Sequence, residues 1–354
     1  MEIGLYGEIS RQGGGQYYMK SLIEALHSND ISLITGIKKD PLNIISLVNT
    51  LIPVNYYYQD EESILKVIFS VLSLKRQLSH IKSKFDLTIN NHPNIFIKDA
   101  DINILHGFSF LDRIVDANGE ITNKLIFHAI KLAGLYKEYN NSNFVVNSKY
   151  TRHISERLFP KLGLKYRILG VLYPTFFMKP LLSAGNKILL FGRINRQKNI
   201  DNAMKIAKKI NGEIIVAGAV NSDDDKKYLT ELEKNAPSNV KFITNPTDSE
   251  KEKIFMNSNI YIHTAENEHF GITLLEAMSH GIVPIVPKSG GPWLDIINEG
   301  EFGFGYTDIH EVPGLVDIAS RQVHSYRLGI MLSVEKFSPE NYKKNLLEII
   351  QKIQ

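Results

Sequence analysis

The sequence predicts an α/β protein with two doubly wound, mostly parallel sheets. Three observations carry that prediction. Short apolar runs alternate with amphipathic stretches. The alternation breaks near residues 172–185 and then restarts. The 354 residues suffice for two domains of ordinary size.

In the first half, MEIGLYG, ISLITGI, LTINN, INILHG and NFVVNS read as strands, and residues 16–28 and 63–82 as helices. The stretch LYPTFFMKPLLSAG at 172–185 carries two prolines and a glycine in irregular sequence, the composition of a connection. Beyond it, KILLFGRI, EIIVAGAV, KFIT, IYIHT and VPIVP are strands. NIDNAMKIAKKI, DDDKKYLTELEKNA, SEKEKIFMNS and GITLLEAMSHG are the helices between them, and NYKKNLLEIIQKI closes the chain. The expected divisions are residues 1–175, residues 176–335, and a terminal helix in 336–354 that packs back toward the first domain.

Composition narrows the function. Apolar content of 43% and charged content of 22% are those of a globular protein. Cysteine is absent, which excludes disulfides, thiolate metal sites and a cysteine nucleophile. A net charge of +3 is too small to argue for nucleic acid, although the excess is basic in residues 1–170. The N-terminus lacks a long apolar run and no stretch of 18 apolar residues occurs, so neither a signal peptide nor a membrane span is expected. The location expected is cytoplasmic, with peripheral contact to the cytoplasmic face of a membrane. The 63–82 segment motivates that contact. It combines a nearly all-round apolar first half with Lys75, Arg76 and Lys82, which suits either burial or an anionic lipid surface.

The most informative stretch is NEHFGITLLEAMSHGIVPIVPKSGGPWLDII, from 267 to 297. Glu268 falls on a strand-to-helix loop, where open α/β sheets bind ligands. The amides of Phe270, Gly271 and Ile272 lie at the helix start, where backbone donors lack partners and anions are favoured. Gly271 lets a ligand approach the backbone. Glu276 sits one and a half turns into the helix, flanked by Leu-Leu and Ala-Met, and a carboxylate in apolar company needs a partner. The vicinal diol of a ribose would supply two hydrogen bonds, and Glu268 could serve a second sugar in the same way. Alone, a Glu-x7-Glu spacing is more often two solvated acids.

Other positions are weighed in the same way. FGRINRQKNID follows a strand and sets Arg193 and Lys198 beside a helix start, which suits a diphosphate or is simply a solvated basic loop. Gly13, Gly14 and Gly15 open a helix but match neither GxGxxG nor a P-loop. Asp223, Asp224 and Asp225 mimic a metal-binding triplet, yet first-turn acids complementing a helix dipole explain them better. The 11 histidines include no HExxH and no facial-triad spacing, so no catalytic metal is expected. His106 follows a strand of the first domain and is by default structural, with a cleft role open.

Together, GGG at 13–15, LHGFSF at 105–110, GRINRQKN at 192–199, ENEHFGITLLEAM at 266–278 and SGGPWLDI at 289–296 resemble the retaining GT-B glycosyltransferases that carry the Glu-x7-Glu motif. The wording is most similar to GDP-mannose-dependent α-mannosyltransferases. The resemblance implies two Rossmann-like domains facing a central cleft, the first binding the acceptor and the second the nucleotide sugar. It implies that Glu268 holds hydroxyls of the donor sugar and Glu276 the ribose. Arg193 and Lys198 would bind the diphosphate, with the amides of Phe270, Gly271 and Ile272 contacting sugar and phosphate. Gly14 and Gly15 would close over the diphosphate, and His106 would lie near the transferred sugar. The base would lie near Ala219 and Val220 and near Asn245 and Pro246. The catalytic set is then His106, Glu268, Arg193 and Lys198. The expected donor is GDP-mannose, with no metal or other cofactor, and the acceptor a glycan or lipid-linked sugar. The alternatives are the same fold with UDP-glucose or UDP-N-acetylglucosamine, a sugar-nucleotide epimerase of similar fold, and a non-catalytic sugar-nucleotide-binding protein.

Overall fold

A computed structural model of the chain describes residues 1–9, 13–36, 39–54, 73, 76–78, 80–92, 97, 100–107, 120–124, 128, 140–176 and 180–353. These form two compact units. One joins Met1–Thr175 to Pro339–Gln354; the other is Phe176–Ser338. Most of the 63–82 stretch, and residues 108–110 of LHGFSF, lie outside the described residues.

The first unit is built on seven strands: β1 (Glu2–Tyr6), β2 (Asp30–Thr35), β3 (Thr50–Pro53), β4 (Leu87–Asn90), β5 (Ile102–Leu105), β6 (Ser142–Val146) and β7 (Tyr166–Val171). Their order is β3-β2-β1-β4-β5-β6-β7, with every pair parallel. The runs are apolar on both faces because crossovers cover both faces of a parallel sheet. β4 and β5 are buried at every position. The helix Gly14–Leu26 follows β1 and buries Tyr18, Met19, Leu22 and Leu26.

The helix Pro339–Gln351 belongs to this unit, although it lies at the far end of the chain. Tyr342, Leu346, Ile349 and Ile350 join the core formed by Ile3, Leu5, Tyr18 and Leu22. Tyr342 meets Tyr18 edge to face at 5.6 Å. Gly170 admits the helix, since a Cβ there would stand 3.2 Å from Ile349. Lys352 Nζ then donates to the Leu169 carbonyl at 2.9 Å.

The second unit holds β8 (Lys187–Phe191), β9 (Ile214–Gly218), β10 (Val240–Thr244), β11 (Ser258–Ile262), β12 (Val283–Pro287) and β13 (Phe304–Tyr306). Their order is β10-β9-β8-β11-β12-β13, again all parallel. The order reverses between β8 and β11. That switch point sets the loop after β8 beside the loop after β11. The expected α/β class, with two Rossmann-like parallel sheets, is therefore the one observed.

Three strands were not anticipated. β3 and β7 are only partly buried, and β13 is three residues long, so their apolar patterns are weak. The helix Lys149–Lys161 was missed because its sequence, KYTRHISERLFPK, is largely polar and contains Pro160. Ser148 starts it by accepting from the Thr151 amide. The helix Val312–Ser333 was missed as well: its buried Val312, Val316, Ala319 and Val323 keep a helical spacing, but Pro313 and Gly314 in its first turn read as a break. The expected helix over 199–210 is shorter, Ile200–Ile206, and tightens into a 3-10 turn at Ala207–Lys209. Among the described residues, no helix is long and apolar enough to cross a membrane.

Candidate active site

The candidates fall into two sets, one in each unit. In the second unit, β8 ends at Phe191 and the chain turns at Gly192. Gly218 has φ +148°, and a Cβ there would collide with the Gly192 carbonyl. The ends of β8 and β9 can touch only because residue 218 lacks a side chain. Two backbone bonds close the turn, Gly192 N to Ala217 O at 3.0 Å and Ile194 N to Ala219 O at 2.9 Å. The segment then makes a 3-10 turn, Arg196–Lys198, and Asn199 starts the next helix in the left-handed region. Thr264, just after β11, fixes that turn by donating Oγ1 to the Lys198 carbonyl at 2.6 Å.

This brings Lys198 to Glu268. The ammonium donates to Oε2 of the carboxylate, joining residues 70 apart in sequence. His263 Nε2 lies 3.6 Å from the same oxygen. Its ring shares the face of β11 with Tyr261, two residues earlier, at a centroid distance of 6.5 Å. Burial alone would raise the Glu268 carboxyl, but the Lys198 charge, with smaller contributions from His263 and His269, outweighs it and lowers the pKa to about 2. Burial pushes His263 down to about 4. At neutral pH His263 is therefore uncharged, and Lys198 is the cation that holds Glu268.

The three basic residues of the β8 loop have different fates. Arg196 turns away, pairing with Glu231 through two bonds of 2.8 and 2.7 Å and lying over the Tyr228 ring at 5.1 Å. Arg193 is exposed, and its side chain makes no hydrogen bond or ion pair with the described residues. Arg193 and Lys198 line one small depression with Gly192, Ala217, His263 and Thr264. A larger surface hollow, bounded by Lys208, Gly212 and Asn239, lies at the opposite, N-terminal edge of the strands. It is remote from these charges.

The helix Ile272–Ser279 begins at Gly271, whose φ of +116° requires glycine. The Gly271 and Ile272 amides donate to no group among the described residues. Phe270 is buried against Phe337, with ring centroids 5.6 Å apart, and anchors the loop. The downstream glycines explain the Ser-Gly-Gly-Pro sequence. Gly290 has φ +75°, and a Cβ there would stand 2.6 Å from the Glu268 carbonyl. A Cβ at Gly291 would run into the His269 carbonyl. Gly291 N donates to Glu268 O at 2.8 Å, and Ser289 Oγ accepts from Asn267 N at 3.3 Å. Pro292 then opens a π-helical turn, Pro292–Ile296. The Ser-Gly-Gly segment is thus the backing of the loop that presents Glu268.

Glu276 is not a solvated helix acid; it is 4% exposed. Its partner is Lys251, whose Nζ donates to Oε1 at 2.8 Å. Nothing in the sequence signals this pair, because the two residues lie 25 positions apart on different helices. Ala219 and Val220 follow β9, and Asn245 and Pro246 follow β10. Asn245, at φ +49°, joins these loops by accepting from Val220 N at 2.9 Å. The three aspartates are engaged otherwise. Asp225 closes a capping box with Ser222, while Asp223 and Asp224 pair with Lys226 and Lys227 at 2.9 and 3.2 Å.

In the first unit, Gly13 caps the helix that begins at Gly14, and Gly14 and Gly15 form its first turn. Asn91, just after β4, donates to the Gly15 carbonyl at 2.9 Å. Its Oδ1 lies 2.8 Å from Nε2 of His106, which follows β5. With the amide nitrogen committed to Gly15, the hydrogen bond assigns the His106 proton to Nε2. Tyr18 meets the His106 ring edge to face at 4.8 Å. Asn91 was overlooked in the sequence. Its only signal is a polar residue at a strand end beside the sheet's own reversal between β1 and β4.

Residues 175–311 match the family described as glycosyl transferases group 1. This segment is a group 1 glycosyltransferase domain. The domain contains every candidate of the second unit, from Arg193 to Glu276. The chain is also similar to the GDP-Man:Man(3)GlcNAc(2)-PP-Dol alpha-1,2-mannosyltransferase of Xenopus laevis, 29% identical over 171 residues that are 46% of this chain and 34% of the relative. The Mus musculus enzyme of the same name is 27% identical over 242 residues, 59% of this chain and 48% of its own length. The chain thus spans about a third to a half of these curated relatives. In fold it is similar to sucrose-phosphate synthase from Thermosynechococcus elongatus, with a TM-score of 0.74 and 15% identity over 99% of this chain and 98% of that one.

Proposed function

We propose that the chain is a retaining glycosyltransferase that moves mannose from GDP-mannose to a glycan or lipid-linked acceptor, forming an α-glycosidic bond. The observation that carries this reading is the meeting of Arg193, Lys198 and Glu268 at the sheet's switch point. Mannosyltransferase relatives favour GDP-mannose over UDP sugars, and their lipid-linked acceptors favour an acceptor of that kind.

In this reading the ion pair is a prepared site for the donor. Lys198 has three N–H groups and spends one on Glu268, leaving two for a diphosphate oxygen. Glu268, held as a carboxylate, accepts from the hydroxyls of the transferred sugar. Arg193 supplies a second charge to the diphosphate, and the Gly271 and Ile272 amides supply donors that need no reorganisation. The anomeric C–O bond to phosphate breaks, the acceptor oxygen bonds to the same carbon on the same face, and the acceptor proton passes to the departing phosphate oxygen. Cationic side chains and backbone amides stabilise the leaving group, so the step is assigned no metal. The engagement of Asp223, Asp224 and Asp225 in helix-start contacts supports that assignment. We place the base beside Val220 and Asn245 and the ribose at Glu276. For the first unit, we place His106 near the transferred sugar, its ring oriented by the Nε2–H bond to Asn91.

Titration calorimetry with GDP and UDP tests the nucleotide. GDP is expected to bind at least tenfold tighter. Tighter UDP binding transfers the reading to a UDP-glucose or UDP-N-acetylglucosamine enzyme.

A further inference from the structure

Glu276 carries a feature that the ribose assignment alone does not explain. It is almost wholly buried, yet only one of its two oxygens is bonded. Lys251 Nζ takes Oε1, while Oε2 has no hydrogen-bond partner among the described residues. A carboxylate has about four acceptor positions, so most of its capacity stays unused. Oε2 is not among the fully enclosed side-chain atoms that lack a partner, so it reaches the surface and is open to a ligand's donor.

The lysine is itself fixed by its surroundings. Its helix, Asp248–Met256, starts with a capping box in which Thr247 and Glu250 satisfy each other's backbone. That start lies two residues beyond Asn245, on the loop assigned to the base. Lys251 Nζ lies 5.7 Å from the centre of the Phe191 ring and 5.9 Å from that of Phe255. The rings give the ammonium a favourable surface and leave it few other directions. The opposing helix is fixed too, because Tyr261 donates to the Phe191 carbonyl at 2.6 Å and bonds Thr273 Oγ1 at 3.1 Å. Both ends of the Lys251–Glu276 pair therefore sit on anchored elements.

We propose that Lys251 is a positioning residue for nucleotide recognition, holding Glu276 by Oε1 so that Oε2 faces the ribose hydroxyls. This rests on the reading of Glu276 as the ribose ligand. Without the lysine, a buried carboxylate would lose the partner that fixes Oε1 and would turn, losing its alignment with the diol.

The test compares GDP and UDP with their 2′,3′-dideoxy counterparts, by calorimetry on the full chain and on Lys251→Met. Wild type is expected to bind the hydroxyl-bearing form of the preferred nucleotide at least tenfold tighter. Lys251→Met should reduce that ratio to about threefold or less, with dideoxy affinity nearly unchanged. Lys251→Arg, which restores a cation, should recover most of the discrimination. If Lys251→Met is poorly folded, Lys251→Gln provides the same comparison. A ratio kept at the wild-type value in a folded lysine variant overturns the proposal while leaving the ribose reading intact. Wild type without any preference for the hydroxyls overturns the ribose reading and this proposal with it.

Discussion

At the scale of single residues, the site is organised by two lysine–glutamate pairs. Lys198–Glu268 is partly exposed, whereas Lys251–Glu276 is nearly closed to solvent. The lowered pKa of Glu268 has a stability consequence. Its folded value of about 2 lies below its ordinary 4.5, so the folded state binds the proton less readily than the unfolded state. The resulting stabilisation, about 3 kcal/mol as an upper bound, is complete above pH 4.5 or so and is lost as pH falls toward 2. Urea unfolding of wild type and Glu268→Gln should therefore give a stability difference that shrinks across that window. A difference independent of pH there would contradict the pairing. The two glutamates also predict different ligand effects. Glu276→Ala should weaken nucleoside diphosphate binding about 10–100-fold, as loss of a charged hydrogen-bond partner does. Glu268→Ala should lower transfer about 100-fold with little change in diphosphate affinity. Calorimetry paired with turnover separates these roles, and equal loss of affinity in both variants would refute them.

At the scale of elements, the important constraint is how closely two loops approach. The Ser289–Gly291 segment lies against residues 267–270 with no room for a Cβ at either glycine. Gly291→Ala should push the His269 carbonyl, displace Glu268 and cost about 1–3 kcal/mol. Denaturation midpoints and donor turnover should fall together; an unchanged protein would show that the loops do not need this contact. The same region shows what the sequence made legible. Strand ends and helix starts near Gly192 and Gly271 followed from apolar runs and glycines. The buried state of Glu276 followed from its apolar neighbours. Lys251 and Asn91 did not, because their partners are brought near only by the order of strands in a sheet. The fate of Arg196 was equally hidden, since Glu231 and Tyr228 stand on another helix. Periodicity reports which face is buried, whereas long-range pairing depends on topology.

At the scale of the molecule, the two units differ in continuity. Residues 176–338 are one uninterrupted segment, whereas the other unit needs both ends of the chain. Removing residues 339–354 withdraws Tyr342, Leu346, Ile349 and Ile350 from its core. At about 1.5–3 kcal/mol for each buried apolar side chain, that loss matches a domain's whole stability. The truncated chain should keep the unfolding transition of the 176–338 unit and lose the other, as read by calorimetric melting. Two unchanged transitions would show that the terminal helix is dispensable. The most direct test of the central claim is the release of GDP from GDP-mannose by the full chain in EDTA, with UDP-glucose as the comparison. The account predicts GDP release that exceeds UDP release and falls about 100-fold in Glu268→Ala. Faster release of UDP, or release of GDP that Glu268→Ala leaves untouched, would contradict it.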